Sequence, residues 1–166
     1  MIRRFIFLFI SSLFFINLQA QDVSSDCEQR IDDLIDYALD YIGVPYDSAG
    51  STPHGFDCSG FVRYVYSRFG VKLPRHSGDQ WKEGELVLLG EIKRGDLVFF
   101  VTQKSNYQAI GHVGIAVSDY DEVTESFRFI HAYSGEGSVC ISDFRNHYLR
   151  NQFGGARRFP ICDTGY

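Results

Sequence analysis

Several things are scarce in this sequence of 166 residues, and each scarcity removes a class of protein. There are only four cysteines, Cys27, Cys58, Cys140 and Cys162, and no pair has a CxxC spacing, so a cysteine-rich zinc site has no support. There is no basic block; the formal net charge is −5, which excludes a positive face for polyanions and makes nucleic acid an unexpected partner. Past the first twenty or so residues there is no apolar run long enough for a membrane span, and no internal repeat, low-complexity tract or Pro/Ser-rich linker.

The one long apolar run, "FIFLFISSLFFI" (Phe5 to Ile16), follows "MIRR" and precedes "NLQA". A positive start, a short apolar stretch and Ala20 before Gln21 predict a secretory signal peptide over residues 1–20. The expected product is an exported, soluble chain of the periplasm, cell envelope or exterior, with residues 21–166 forming a single domain and no membrane span once the leader is removed. Losing Arg3 and Arg4 moves its net charge from −5 to −7. An oxidising compartment permits disulfides, and Cys27 with Cys162 is the preferred pair because domain termini tend to lie close together. Bridging all four cysteines is the alternative.

Fifteen Phe and ten Tyr promise a well-packed core and an aromatic-lined groove. After the capping-box form of Ser25 to Glu28, the positions Ile31, Leu34, Ile35, Ala38 and Ile42 recur at helical spacing up to Gly43. A loop from Val44 to Gly55 leads to a second helix from about Cys58, closed by Gly70. Strands are predicted over Gly95–Val101, His112–Val117, Phe127–Tyr133 and Ala156–Ile161, with the polar loop "TQKSNYQAIG" between the first two and a hairpin connection in "DYDEVTES". Helices first and strands after argue α+β, with N-terminal helices packed on an antiparallel sheet.

Cys58 stands where the second helix begins. Unpaired N–H groups and a partial positive charge at that end favour a thiolate, the form that attacks carbonyls. Asp57 is suited to cap the helix, and Ser59 and Gly60 keep its first turn small, which predicts close substrate approach. A thiolate needs a base. His112 alternates with Gly114 and Ala116 on its strand face, which leaves room beside the ring, and His131 lies on the next predicted strand. Together Cys58, His112 and His131 fit the logic of nucleophile, base and orienting group, with mutual attraction lowering the thiol pKa and raising that of the imidazole. The bland alternatives are a packed or bridged cysteine and structural histidines; a sharper one is a Cys/His/His zinc site with water. His54, His76 and His147 read as surface or groove residues.

These stretches resemble the NlpC/P60 family. "GVPYDSAG", "FDCSGFVRYVYSRFGVKLPRHSGDQ", "KRGDLVFF", "GHVGIAV", "FIHAYS" and "GARRF" follow the family's successive blocks in order from about Ile31 to Phe159. The resemblance implies a papain-like α+β fold and a cysteine peptidase of bacterial cell-wall peptides, most often cutting between γ-D-glutamate and meso-diaminopimelate or L-lysine. It implies Cys58 as nucleophile, His112 as base and His131 as the polar third residue, with Tyr46 supporting the oxyanion site. It places Asp57, Ser59, Arg75 and Gln80 as substrate-binding positions, the first two matching residues that in some members hold the free amino group of L-alanine. No metal or cofactor is implied, and the implied partners are peptidoglycan stem peptides. The same nucleophile and base would serve an N-acetylmuramoyl-L-alanine amidase or an acyltransferase, and a binding module that has lost catalysis is the remaining alternative.

Overall fold

The computed structural model describes residues 25–104, 107–145 and 147–162; the expected leader and its cleavage point lie outside them. Residues 25–39 form helix α1, with Leu34, Ile35 and Ala38 buried. The helix stops before the predicted end. Ile42 falls in the turn that follows and is exposed, and Gly43 adopts φ +87°. The loop then makes a two-stranded ribbon, β1 (Ser51–Thr52) and β2 (Gly55–Phe56), which delivers the chain to α2 (Cys58–Arg68). Asp57 caps α2 by accepting from the Gly60 N–H at 2.7 Å, and Gly70 leaves the helix at φ +83°.

Beyond α2 come a short helix α3 (Ser77–Gln80) and β3 (Glu85–Val87). The remaining strands are β4 (Leu97–Lys104), β5 (Tyr107–Ala116), β6 (Arg128–Tyr133), β7 (Ser138–Asp143) and β8 (Phe153–Arg158), with a short helix α4 (His147–Asn151) before β8. They form a six-stranded antiparallel sheet in the order β3-β8-β4-β5-β6-β7. The fold is α+β, as the sequence predicts. One prediction fails: "TQKSNYQAIG" is not a polar loop throughout, because β4 and β5 extend into it from either side, pairing as far as Lys104↔Tyr107. A two-stranded ribbon satisfies its backbone groups by cross-strand bonds whatever its side chains, so polarity alone did not mark a loop here.

The alternation of β4 explains how both sheet faces are covered. Leu97 and Phe99 join α1, α2, Val113, Ile115, Ile130 and Ala132 in one core, while Val98 and Phe100 join Ala116, Phe127, Phe129, Phe144 and Leu149 in another. Asp96, only 1% exposed, ties the start of β4 to β8 by accepting from Arg158 Nε and Nη2, both at 2.8 Å. The termini are joined as well. Cys27 and Cys162 form a disulfide across 135 residues, whereas Cys58 and Cys140 are free, which overturns the alternative of four bridged cysteines. No helix among the described residues is long and apolar enough to cross a membrane.

Candidate active site

Capping sets the position of Cys58. With Asp57 extended (φ −89°, ψ 173°) as N-cap, Cys58 is the first helical residue and its sulfur emerges at the N-terminus of α2. The helix packs on β5, so the sulfur lies 3.9 Å from the Gly111 carbonyl oxygen, and the N–H groups of Val113, Ser59 and Cys58 itself bear on it. Its hydrogen-bond contact is with this backbone rather than with the His112 ring. Burial, then the charge of Asp57, push the Cys58 thiol above its ordinary value, and those N–H groups offset this only in part.

The two histidines meet although their strands pair over only two residue positions, Ile115↔Ile130 and Ala116↔Phe129. His112 Nε2 lies 2.7 Å from His131 Nδ1, and His131 Nε2 lies 2.9 Å from Ser142 Oγ on β7. Gly114 allows this: a Cβ there would come within 2.9 Å of the Ile130 carbonyl oxygen and 3.1 Å of His131 Cβ. The room that small residues leave on β5 is thus filled by His131. Tyr133 stacks on the His131 ring at 5.2 Å and 12°, and Phe129 and Phe100 close the other sides. Burial in this aromatic nest pulls His112 down to about 4. Burial and then the charge of His112 pull the fully buried His131 to about 3.

These directions correct the expected thiolate–imidazolium pair. Desolvation is the leading influence on all three groups, and it favours a neutral thiol and neutral rings at rest. A consequence for stability follows from linkage. An unfolded histidine titrates near 6.5, so as pH falls from about 6.5 toward 4 the unfolded chain binds protons the folded one does not. Stability is complete above that window and lost descending through it. The melting temperature should therefore fall between pH 7 and 4.5, and fall less in a His131→Asn variant; equal drops in both would refute the assignment.

The other sequence-predicted positions gather at the same helix end. Arg75 Nη1 and Nη2 grip Asp57 Oδ1 and Oδ2 at 3.0 and 2.6 Å, and Nη1 also donates to Ser59 Oγ at 3.0 Å. Gln80, fully buried, donates through Nε2 to the Ser59 carbonyl at 3.2 Å and to the Pro74 carbonyl at 2.8 Å. In this structure the four side chains therefore brace one another and the first turn of α2. Ser59 is buried, and a Cβ on Gly60 would stand 2.1 Å from the Gly50 carbonyl oxygen, so the small first turn admits a neighbouring loop rather than an approaching ligand. Tyr46 is partly buried, held by its N–H to the Gly137 carbonyl at 2.8 Å. Burial raises its phenol pKa, and so do the charges of Cys58 and Asp57, which sets the hydroxyl within their field.

His54 and His76 are exposed, as read from the sequence, and nothing is described for the side chain of His147. No cluster of three or more His, Cys, Asp or Glu among the described residues is arranged to hold a metal ion. Two contributors escaped the sequence reading, Tyr133 and Ser142. The signal was present in "SVCISD", where Val139 and Ile141 alternate with Cys140 and Ser142.

The NlpC/P60 family profile matches residues 43–158. The chain belongs to the NlpC/P60 family. It is 41% identical over 129 residues to the γ-DL-glutamyl hydrolase of Bacillus subtilis strain 168, covering 76% of this chain and 29% of that protein. It is 34% identical over 134 residues to murein DD-endopeptidase MepS/murein LD-carboxypeptidase of Escherichia coli K12, covering 80% of this chain and 63% of that protein. The crystal structure of an NlpC/P60 family protein from Bacillus cereus ATCC 10987 superposes with a TM-score of 0.68 at 33% identity, over 78% of this chain and 40% of that one. The chain thus spans less than two thirds of the length of these NlpC/P60 relatives.

Proposed function

We propose that this NlpC/P60 chain is an exported cysteine endopeptidase of bacterial cell-wall peptides that cleaves the bond between γ-D-glutamate and the following diamino acid. The observation that carries the reading is the relay from His112 through His131 to Ser142, beside a free thiol at a helix N-terminus. The B. subtilis relative's name supports the γ-glutamyl bond, and the Cys27–Cys162 disulfide supports an oxidising compartment.

In this reading the Cys58 thiol gives its proton to His112 Nδ1, the ring nitrogen not bonded to His131, as Sγ attacks the amide carbonyl carbon. The resulting oxyanion is held by N–H groups at the start of α2 and by the Tyr46 hydroxyl. The C–N bond then breaks, and the His112 imidazolium hands its proton to the departing amine. That leaves a thioester, which water cleaves with His112 again as base. Because the thiol and the imidazole rest neutral, the proton passes from Sγ to Nδ1 in the course of the reaction rather than in the resting site.

His131 acts through His112. A His131→Ala variant should keep a weak residue of activity, lower than wild type by about 10⁴-fold, with KM little changed; wild-type kcat would remove His131 from the mechanism. The function itself is tested by incubating the chain from Gln21 with defined muropeptides and weighing the products. Fragments ending in L-Ala-γ-D-Glu support the endopeptidase. Release of the whole stem from the sugar makes it an amidase, and no cleavage of any substrate makes it a binding module.

A further inference from the structure

We propose that Ser142 is a positioning residue that fixes the tautomer of both histidines. The inference rests on the hydrolase reading above.

A neutral imidazole has one N–H and one lone pair. To take a proton from Cys58, His112 must present its lone pair on Nδ1, so its hydrogen is on Nε2 and points at His131 Nδ1, 2.7 Å away. His131 Nδ1 is then an acceptor, and the hydrogen of that ring is on Nε2, directed at Ser142 Oγ at 2.9 Å. His131 is fully buried, so this N–H has no water to turn to. Without an acceptor at position 142 it would be a buried unsatisfied donor, and the ring is driven toward the opposite tautomer. That tautomer would place hydrogen on His131 Nδ1, remove it from His112 Nε2 and load it on His112 Nδ1. The base would then face Cys58 with a proton already in place.

A hydroxyl can donate as well as accept, so something must hold the Ser142 hydrogen away. β6 and β7 pair His131 with Cys140 and Phe129 with Ser142, which sets Cys140 and Ser142 on one face beside the His131 ring. The free Cys140, on that same face, is the acceptor this proposal gives to the Ser142 hydrogen, which leaves the oxygen lone pairs for His131. The ordered chain therefore runs from His112 Nε2–H to His131 Nδ1, from His131 Nε2–H to Ser142 Oγ, and from the Ser142 hydroxyl to Cys140.

Nitrogen-15 NMR of histidine-labelled protein near pH 7 tests this. Wild type should show both rings with hydrogen on Nε2. Ser142→Ala should show a population of His112 with hydrogen on Nδ1, and kcat on the muropeptide that wild type cleaves should drop about 10-fold, the worth of one hydrogen bond, with KM unchanged. Ser142→Thr, which keeps the hydroxyl, should restore both. A wild-type His131 carrying its hydrogen on Nδ1 overturns the proposal, and this reading needs no variant if Ser142→Ala does not fold. Unchanged tautomers and kcat in Ser142→Ala overturn it too, as does a Ser142→Thr protein no better than Ser142→Ala. Absence of muropeptide cleavage by wild type would defeat the hydrolase reading and leave the tautomer spectra to decide the role of Ser142.

Discussion

Cys58→Ala and His112→Ala should each lower hydrolysis of cell-wall peptides by about 10⁶-fold, to below detection, and the double variant should be no worse than either single one. The reason is that nucleophile and base act as a unit: without the sulfur there is no acyl acceptor, and without the ring the neutral thiol of the resting site keeps its proton. The second point separates this site from one with a preformed thiolate, where loss of the histidine would be the milder change. Both variants should fold. Ala at 58 leaves the cap intact, since Asp57 bonds the Gly60 N–H and Arg75 rather than the sulfur. Progress curves with a defined muropeptide, alongside melting temperatures, check this. Measurable turnover by Cys58→Ala would sink the assignment of the nucleophile.

The largest expected effect on stability lies far from that chemistry. The Cys27–Cys162 disulfide closes a loop of nearly the whole described chain, its ends separated by 135 positions in sequence. A cross-link over such a loop removes much of the freedom of the unfolded chain, so replacing both cysteines by serine should cost about 3–5 kcal/mol. For a chain of this size that lowers the melting temperature by roughly 10 °C. Activity per folded molecule at 25 °C should be unchanged, because Cys58 is not part of the bridge. A melting temperature within 2 °C or so of wild type would mean that the termini are held by packing alone; Arg30 already donates to the Ile161 and Phe69 carbonyls at 2.8 and 3.0 Å.

Much of the site could be read from local chemistry, and the residues show why. Asp57 followed by Cys58, with Gly70 closing the apolar stretch, fixes a capped helix that starts at the thiol, because capping is decided within a turn. The pairing of the two terminal cysteines followed from an equally simple fact about domains. Strand order was not local. The short β7 hides among serines and a cysteine, and with it Ser142, whose role exists only because β7 lies against β6. The expected thiolate failed for the same reason. Attraction between Cys58 and His112 can be argued from residue types, but the aromatic nest of Phe100, Phe129 and Tyr133 that desolvates the rings is assembled from separate strands. The substrate-facing role read for Gly60 gave way to a contact with Gly50, a residue ten positions earlier.

The strand order has a kinetic meaning. β8, last of the described strands in the chain, lies between β3 and β4 and pairs with both, Val98 facing Ala156 across fifty-odd residues of sequence. A sheet of this kind cannot zip from its first strand to its last. The β4–β5 and β6–β7 ribbons are the early, fast events, because their partners are neighbours in the chain. The edge strand β3 must wait with no hydrogen-bonding neighbour until β8 arrives to join the two parts. Closure of the sheet is therefore a late, long-range step, and until it occurs Arg158 is not in place to neutralise Asp96 at the mouth of β4.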